Sequence, residues 1–352
     1  MALFNRQSGW RDLLNDSIES VDELGRVLKT DISNLAKVEK TYPMRVNPYY
    51  LSLIKKRGGP LWRQAIPSVL ELEDDLNQDD PLHEDQQSPV KTIIHRYPDR
   101  VIFLVSNKCA MYCRYCMRKR KVGDNEQHFP AGSESIEQGL DYIRQTETIS
   151  DVILSGGDPL LLETAEIDYL LKEVFSIPHV DIVRIHTRVL CTLPQRITEN
   201  LVSVLKKYRP LYINTHFNHP DELTDTATDA CSMLADAGIP LGCQTVLLKG
   251  VNDTTDIMQQ LMKKLVKNRI RPYYLHHPDQ IKGTSHFRLP VKKGLDIMTG
   301  LRGFNSGLCI PQYMIDLPGG GGKIPLLPDY VWQVNDDMMT VINFEGKMYT
   351  YF

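Results

Sequence analysis

The sequence predicts an α/β protein built on a partial (β/α)6 barrel of the TIM type, and three observations carry that expectation. Short apolar, β-branched runs recur: VIFLVS from Val101, VILSGG from Val152, IVRIHT from Ile182, LYINTH from Leu211, LGCQTVLL from Leu241 and RPYYLHH from Arg271. After the first, their starts fall roughly 30 residues apart, the length of a strand, a helix and two loops. Amphipathic stretches lie between them; in DIMQQLMKKLVKN, Ile257, Leu261 and Leu265 share one helical face and lysines take another. Finally, Ser155, His186, His216, Gln244 and His276 all fall at the C-terminal ends of these strands. A barrel gathers its site from many strand ends, whereas an open doubly wound sheet concentrates it near one switch point. Periodicity alone does not separate the two architectures. In either case six successive βα units demand parallel strands with right-handed crossovers.

Before this core, residues 1–90 read as a helical extension. SVDELGRVL opens with Ser20 and Glu23 spaced as a capping box and continues with apolar positions at helical spacing. Leu70 to Gln87, LELEDDLNQDDPLHEDQQ, is acidic and Pro-interrupted, the texture of a surface connection and not of core. The core is expected over residues 91–302. From residue 303 to 352 the texture changes again: IDLPGGGGKIPLLPDY is rich in Gly and Pro, and WQVNDDMMTVINFEGKMYTYF reads as short strands.

Composition narrows the function. A net charge of −3 over 352 residues gives no electrostatic footprint for nucleic acid, and the basic run RKRK, Arg118 to Lys121, reads as a solvated face. MALFNRQSGW lacks the apolar stretch of a secretory signal, and no run approaches the roughly 20 apolar residues that span a bilayer. Seven scattered cysteines make poor material for a disulfide framework. The expectation is a cytoplasmic protein with reduced thiols, without nucleic-acid or membrane partners.

CAMYCRYC places Cys109, Cys113 and Cys116 within eight positions. Thiolates so close in sequence can converge on one metal centre. Zinc is the plainer reading, but structural zinc commonly takes two CxxC pairs and no second pair exists here. Cubane clusters ordinarily take four cysteines, so three would leave one iron open to a small molecule. C-x3-C-x2-C with Tyr115 before the last cysteine resembles the signature of the radical S-adenosylmethionine (SAM) enzymes. That resemblance implies a [4Fe–4S] cluster, with SAM chelated on the fourth iron and split to a 5′-deoxyadenosyl radical. SGGDPL, with Gly156, Gly157 and Asp158, resembles the superfamily's glycine-rich turn facing the methionine amino group. Glycines there would leave backbone N–H groups exposed.

PGGGGKIP, residues 318 to 325, fails as a phosphate loop, because Leu317 stands where a glycine is needed and Ile324 where Ser or Thr is needed. A lone Lys323 on a glycine turn is ordinarily a solvated residue. However, residues 93 to 350 closely resemble the lysine 2,3-aminomutase family, through RYPDR, LPQRIT, NTHFNHP, PLGCQTVLLKGVND and PGGGGK. The resemblance implies that Lys323 forms a Schiff base with pyridoxal 5′-phosphate, whose phosphate meets Arg96, Tyr97 and Arg100. It implies that Arg118 pairs with the substrate carboxylate, and Asp279 and Asp316 with a side-chain ammonium. His216 and Gln244 would contact SAM. The implied reaction turns L-lysine into β-lysine (3,6-diaminohexanoate), with electrons from a reductant protein such as flavodoxin or ferredoxin; homo-oligomerisation stays open.

Two aspartates repel a glutamate side chain but would also suit the guanidinium of arginine. His276 replaces a tyrosine of the family near the pyridoxal ring, and the chain ends at YTYF without the cysteine-bearing tail of many free-lysine aminomutases. Shorter family members make β-lysine for elongation factor P. A zinc-binding interaction protein without catalysis is the rival from another class.

Overall fold

The computed structural model describes residues 9–74, 77–123, 133–335 and 338–351. The reading of the N-terminus as lacking a leader rests mainly on residues 1–8, outside that set. Five short helices form the extension: α1 (Trp10–Asn15), α2 (Val21–Leu28), α3 (Ala36–Thr41), α4 (Pro48–Leu53) and α5 (Pro60–Ala65). Ser20 Oγ caps α2 by accepting from the Glu23 amide at 3.2 Å. Pro48 and Pro60 start α4 and α5 at the first turn, where a missing N–H costs nothing. The extension does not stand apart: Val21, Leu24, Ile32, Leu35 and Tyr50 share one apolar core with the barrel strands.

The main sheet has nine strands in sequence order: β1 (Ile93–Tyr97), β2 (Arg100–Ser106), β3 (Asp151–Gly156), β4 (Ile182–His186), β5 (Leu211–Thr215), β6 (Leu241–Val246), β7 (Ile270–His276), β8 (Gln312–Leu317) and β9 (Gly322–Pro325). Strands β2 to β8 are parallel neighbours, and β1 and β9 close the two edges antiparallel. The crossovers carry α6 (Ser133–Gln145), α7 (Thr164–Phe175), α8 (Val189–Thr192) with α9 (Glu199–Leu205), α10 (Asp225–Asp236), α11 (Thr255–Lys267) and α12 (Val291–Leu301). The expected six βα units are therefore present as a nearly closed barrel-like sheet. The Gly/Pro-rich segment adds two strands that the sequence reading left unassigned. Beyond it, β10 (Val331–Asn335), β11 (Met338–Ile342) and β12 (Met348–Tyr351) form a separate antiparallel sheet, the short strands expected of the tail.

Burial follows sequence pattern with one adjustment. In α11 the buried stripe is Met258, Leu261, Met262 and Leu265, and Ile257 sits half-buried at its margin. Strand β3 is buried along five of its six residues, as a central parallel strand covered on both faces should be.

Two surface readings are corrected. Glu71 and Glu84 of the acidic segment are almost fully buried, and so are Arg118, Lys119 and Lys121 of the basic run. The two segments pack on each other: Glu71 binds Arg114 and Lys119, Glu84 binds Arg118, and Asp85 binds Arg120 and Lys121. Neither charge run could be buried alone; opposed, each neutralises the other.

Candidate active site

A cavity of about 450 Å³ runs through the barrel. All five strand-end residues, Ser155, His186, His216, Gln244 and His276, line it, as expected of a barrel mouth. So do Arg96, Tyr97, Arg100, Cys113, Tyr115, Cys116, Arg118, Asp279, Asp316 and Lys323. Four of the residues anticipated from the sequence, Cys109, Gly156, Gly157 and Asp158, are not on its wall.

The cysteine loop follows β2 and is laid on the helical extension. The Tyr112 amide donates to Arg45 O and the Arg114 amide to Gln64 O, both at 2.9 Å. None of the three cysteines is in a disulfide. Burial pushes the Cys116 thiol up to about 11 and the Cys109 thiol well above its usual value, the latter also raised by Asp158 and the other two cysteines. The Cys113 sulfur accepts from Arg188 Nη1 at 2.8 Å. Among the described residues no three His, Cys, Asp or Glu side chains are arranged to hold a single metal ion. Three thiols on one loop, none in a disulfide, are the donor set of a cubane cluster that leaves one iron open.

Gly156 adopts φ +125°, and a Cβ there would meet Ser106 O at 2.1 Å. The turn is welded to the cysteine loop: the Gly157 amide donates to Ser106 O at 2.5 Å and the Asp158 amide to Lys108 O at 2.7 Å. These two N–H groups are thus spent inside the protein, contrary to the expectation that the turn leaves them exposed. Asp158 is a buried strut. Its carboxylate accepts from Thr187 Oγ1, the Arg188 amide and the Leu160 amide, although burial pushes its pKa up to about 6.

At the other end of the cavity β8 and β9 face each other with Asp316 opposite Lys323. The Lys323 ammonium rests on Asp316, which also accepts from Arg96 Nη1 at 3.3 Å. The Lys323 amide donates to Tyr97 Oη at 2.8 Å. Gly319, Gly320 and Gly322 of the turn all have positive φ; at Gly320 a Cβ would collide with Gln87 Nε2 at 1.8 Å. Asp279, after β7, is pushed up to about 7 by burial and by the neighbouring Asp316. The half-buried imidazoles of the wall are held neutral: desolvation lowers His186 to about 3 and His276 to about 4, and takes His216 well below its usual value. Tyr115 Oη lies 3.2 Å from His216 Nε2 and accepts from Asn218 Nδ2 at 2.7 Å.

Among the polar wall residues, sequence reasoning missed Glu84, Arg184, Tyr273, Tyr274, His277 and Thr284. Glu84 sat within a segment read as surface. Arg184 interrupts an apolar strand, IVRIHT, and that interruption was its signal; it pairs with Asp151. Tyr273 and Tyr274 are adjacent yet stacked, with ring centroids 3.9 Å apart, on the same wall. The register slips between Cys243 and Gln244, pairing them with Pro272 and Tyr274, so Tyr273 is the extra residue of a bulge.

A family model for the radical SAM superfamily matches residues 103–261, over β2 to α11. With the cysteine loop behind the first parallel strand of a partial barrel, that match makes the protein a radical SAM enzyme, which implies a [4Fe–4S] cluster and SAM. A second model, described as lysine-2,3-aminomutase, matches residues 298–352. The chain is 48% identical to the L-lysine 2,3-aminomutase of Clostridium subterminale, covering 97% of this chain and 83% of that one. It is 48% identical to the L-lysine 2,3-aminomutase of Methanococcus maripaludis, covering 97% and 81%. It is also 43% identical to the glutamate 2,3-aminomutase of Clostridioides difficile, covering 95% and 80%. The chain belongs to the lysine 2,3-aminomutase family, whose members are isomerases. No described helix is long and apolar enough to cross a membrane.

Proposed function

We propose that the protein is an L-lysine 2,3-aminomutase, which moves the α-amino group of L-lysine to carbon 3 to give β-lysine. The observation that carries this reading is the pairing of Asp279 and Asp316 on one wall of a cavity that also holds Arg118. Two carboxylates on one cavity, Asp316 buried and Asp279 half-buried, favour a cationic side chain and repel the side-chain carboxylate of glutamate, the substrate in one relative's name. Arg118 is suited to the carboxylate common to all amino acids.

The donor sets fit both cofactor groups. Cys109, Cys113 and Cys116 would hold the cluster, with Tyr115, His216 and Gln244 toward SAM and the Gly156–Gly157 turn bracing the loop. Lys323, the one lysine among the described residues lining the cavity, would hold pyridoxal phosphate, with Arg96, Tyr97 and Arg100 toward its phosphate. When bound, pyridoxal phosphate supplies a carbonyl that takes up the migrating amino group, and the cluster with SAM supplies the radical that removes the β-hydrogen.

The chain's own residues bind and position. Asp316 holds the Lys323 ammonium while that lysine is free. Asp279, on the same cavity, is the second carboxylate, so that the pair would receive the substrate's side-chain ammonium without Asp316 giving up Lys323 or Arg96. The neutral imidazoles of His186, His216 and His276 offer lone pairs without adding cations that would compete for those carboxylates. Enclosure in the barrel keeps water from the reacting centre.

The test is anaerobic reconstitution with iron, sulfide and pyridoxal phosphate, then SAM, a reductant and L-lysine, with β-lysine read by mass spectrometry. Product that vanishes in Cys113→Ala and in Lys323→Ala supports the reading. Cleavage of SAM without β-lysine overturns lysine as substrate and directs the assay to arginine.

A further inference from the structure

Among the described residues lining the cavity, Glu84 is the one acid that the proposed reaction does not use. It follows a proline turn in the acidic segment, its side chain is 3% exposed, and it lies on the cavity wall beside Arg118, itself 9% exposed. The two side chains meet fork to fork: Arg118 Nε donates to Glu84 Oε2 at 3.1 Å and Nη2 donates to Oε1 at 2.9 Å. This takes one edge of the guanidinium. Of its five N–H groups, two are spent on Glu84, and Nη1 has only Ser155 Oγ, at 3.4 Å. The Nη1–Nη2 edge remains, the one that can take a second carboxylate in a bidentate grip.

We propose that Glu84 is a positioning residue that fixes the plane of Arg118 so that its remaining edge presents two parallel N–H donors to the substrate carboxylate. The proposal rests on the reading of Arg118 as the carboxylate site. Without the Glu84 fork, a long guanidinium in this cavity is free to rotate about its last torsions and to swing toward Asp279, which lies close enough to act on it electrostatically. Glutamine cannot replace the carboxylate. Its oxygen could accept from Nε, but its amide would then turn N–H groups against the N–H of Nη2.

The experiment compares L-lysine with L-lysinamide, which lacks only the carboxylate charge. Binding is measured by calorimetry on protein loaded with its cluster and pyridoxal phosphate, without SAM, so that no turnover occurs. The wild type is expected to favour lysine over lysinamide, and Glu84→Gln to reduce that ratio about tenfold while the lysinamide affinity stays within about twofold. Asp85→Asn removes a neighbouring carboxylate of the same segment and is expected to leave the ratio unchanged. If Glu84→Gln does not fold, Glu84→Asp, which withdraws the carboxylate by one methylene, is read by the same ratio, which must fall. An unchanged ratio, equal losses for both ligands, or an equal fall in Asp85→Asn overturns the proposal. A wild type that makes β-lysine yet shows no preference for lysine overturns it too. A wild type that makes none sinks the proposed function instead.

Discussion

Lys323 and Asp316 are direct cross-strand partners, held ammonium to carboxylate over the glycine turn that joins β8 to β9. Arg96 bonds the same carboxylate, so Asp316 keeps a cation when the lysine is removed. Lys323→Ala is therefore expected to fold with a melting temperature close to wild type and to retain iron. It should lose the absorbance of bound pyridoxal phosphate and all product. A variant that still binds the cofactor as tightly would show that another lysine carries it.

Asp279 gives a pH signature. Its folded value, about 7, lies above the ordinary carboxylate value of about 3.9, so the folded chain holds the extra proton more tightly than the unfolded one. This group's contribution to stability is present at low pH and is lost as pH rises through about 7. In cofactor-free protein Asp279→Asn should raise the melting temperature most at about pH 8.5, roughly half as much at about pH 5.5, and not at all below about pH 3.9. Lysine affinity should run the opposite way in the wild type, tightening from about pH 6 to 8 as the carboxylate ionises. That slope should flatten in Asp279→Asn.

Glu71 sits under the cysteine loop with its side chain wholly buried, bound to Arg114 at 2.5 and 3.0 Å and to Lys119 at 2.5 Å. Burial alone would raise its pKa, but the two cations hold it below the usual range. Glu71→Ala strands two buried cations and is expected to cost about 3–5 kcal/mol in urea unfolding. Glu71→Gln, which keeps hydrogen-bonding capacity, should cost less.

Gly156→Ala tests the weld between the glycine turn and the cysteine loop. The added carbon meets Ser106 O at 2.1 Å in a backbone conformation that L side chains rarely adopt. The expected outcome is soluble protein that takes up markedly less iron and sulfide per chain than wild type, measured after anaerobic reconstitution. Full iron content would show that the turn does not shape the loop.

Legibility followed the physics of each signal. The βα rhythm and the polar strand ends were readable because strand and helix periods are local, and the three cysteines because they are adjacent in sequence. Buried Glu71 and Glu84 were not readable: an acid at the surface and an acid opposite a buried arginine look the same until the fold brings the two segments together. Strands β1, β8 and β9 escaped because each lies beside Pro or Gly, the residues that mark turns. Asp158 had the right address and a different occupation, since its carboxylate is consumed in tying β3 to β4. The bulge at Tyr273 left no periodic trace at all.

The order of the main sheet is linear, with β1 and β9 as its ends, and at those ends Tyr97 Oη meets the Lys323 amide and Arg96 meets Asp316. The seam is thus stitched by side chains that also face the cavity. A mutational survey that scores folding and turnover separately will find the two phenotypes inseparable at Arg96, Tyr97 and Asp316. They will stay separable at Gln244, on β6, and at His216, one residue past β5, since both strands are bonded by backbone along both sides. In the wall of this barrel the fastening and the workplace are the same few atoms.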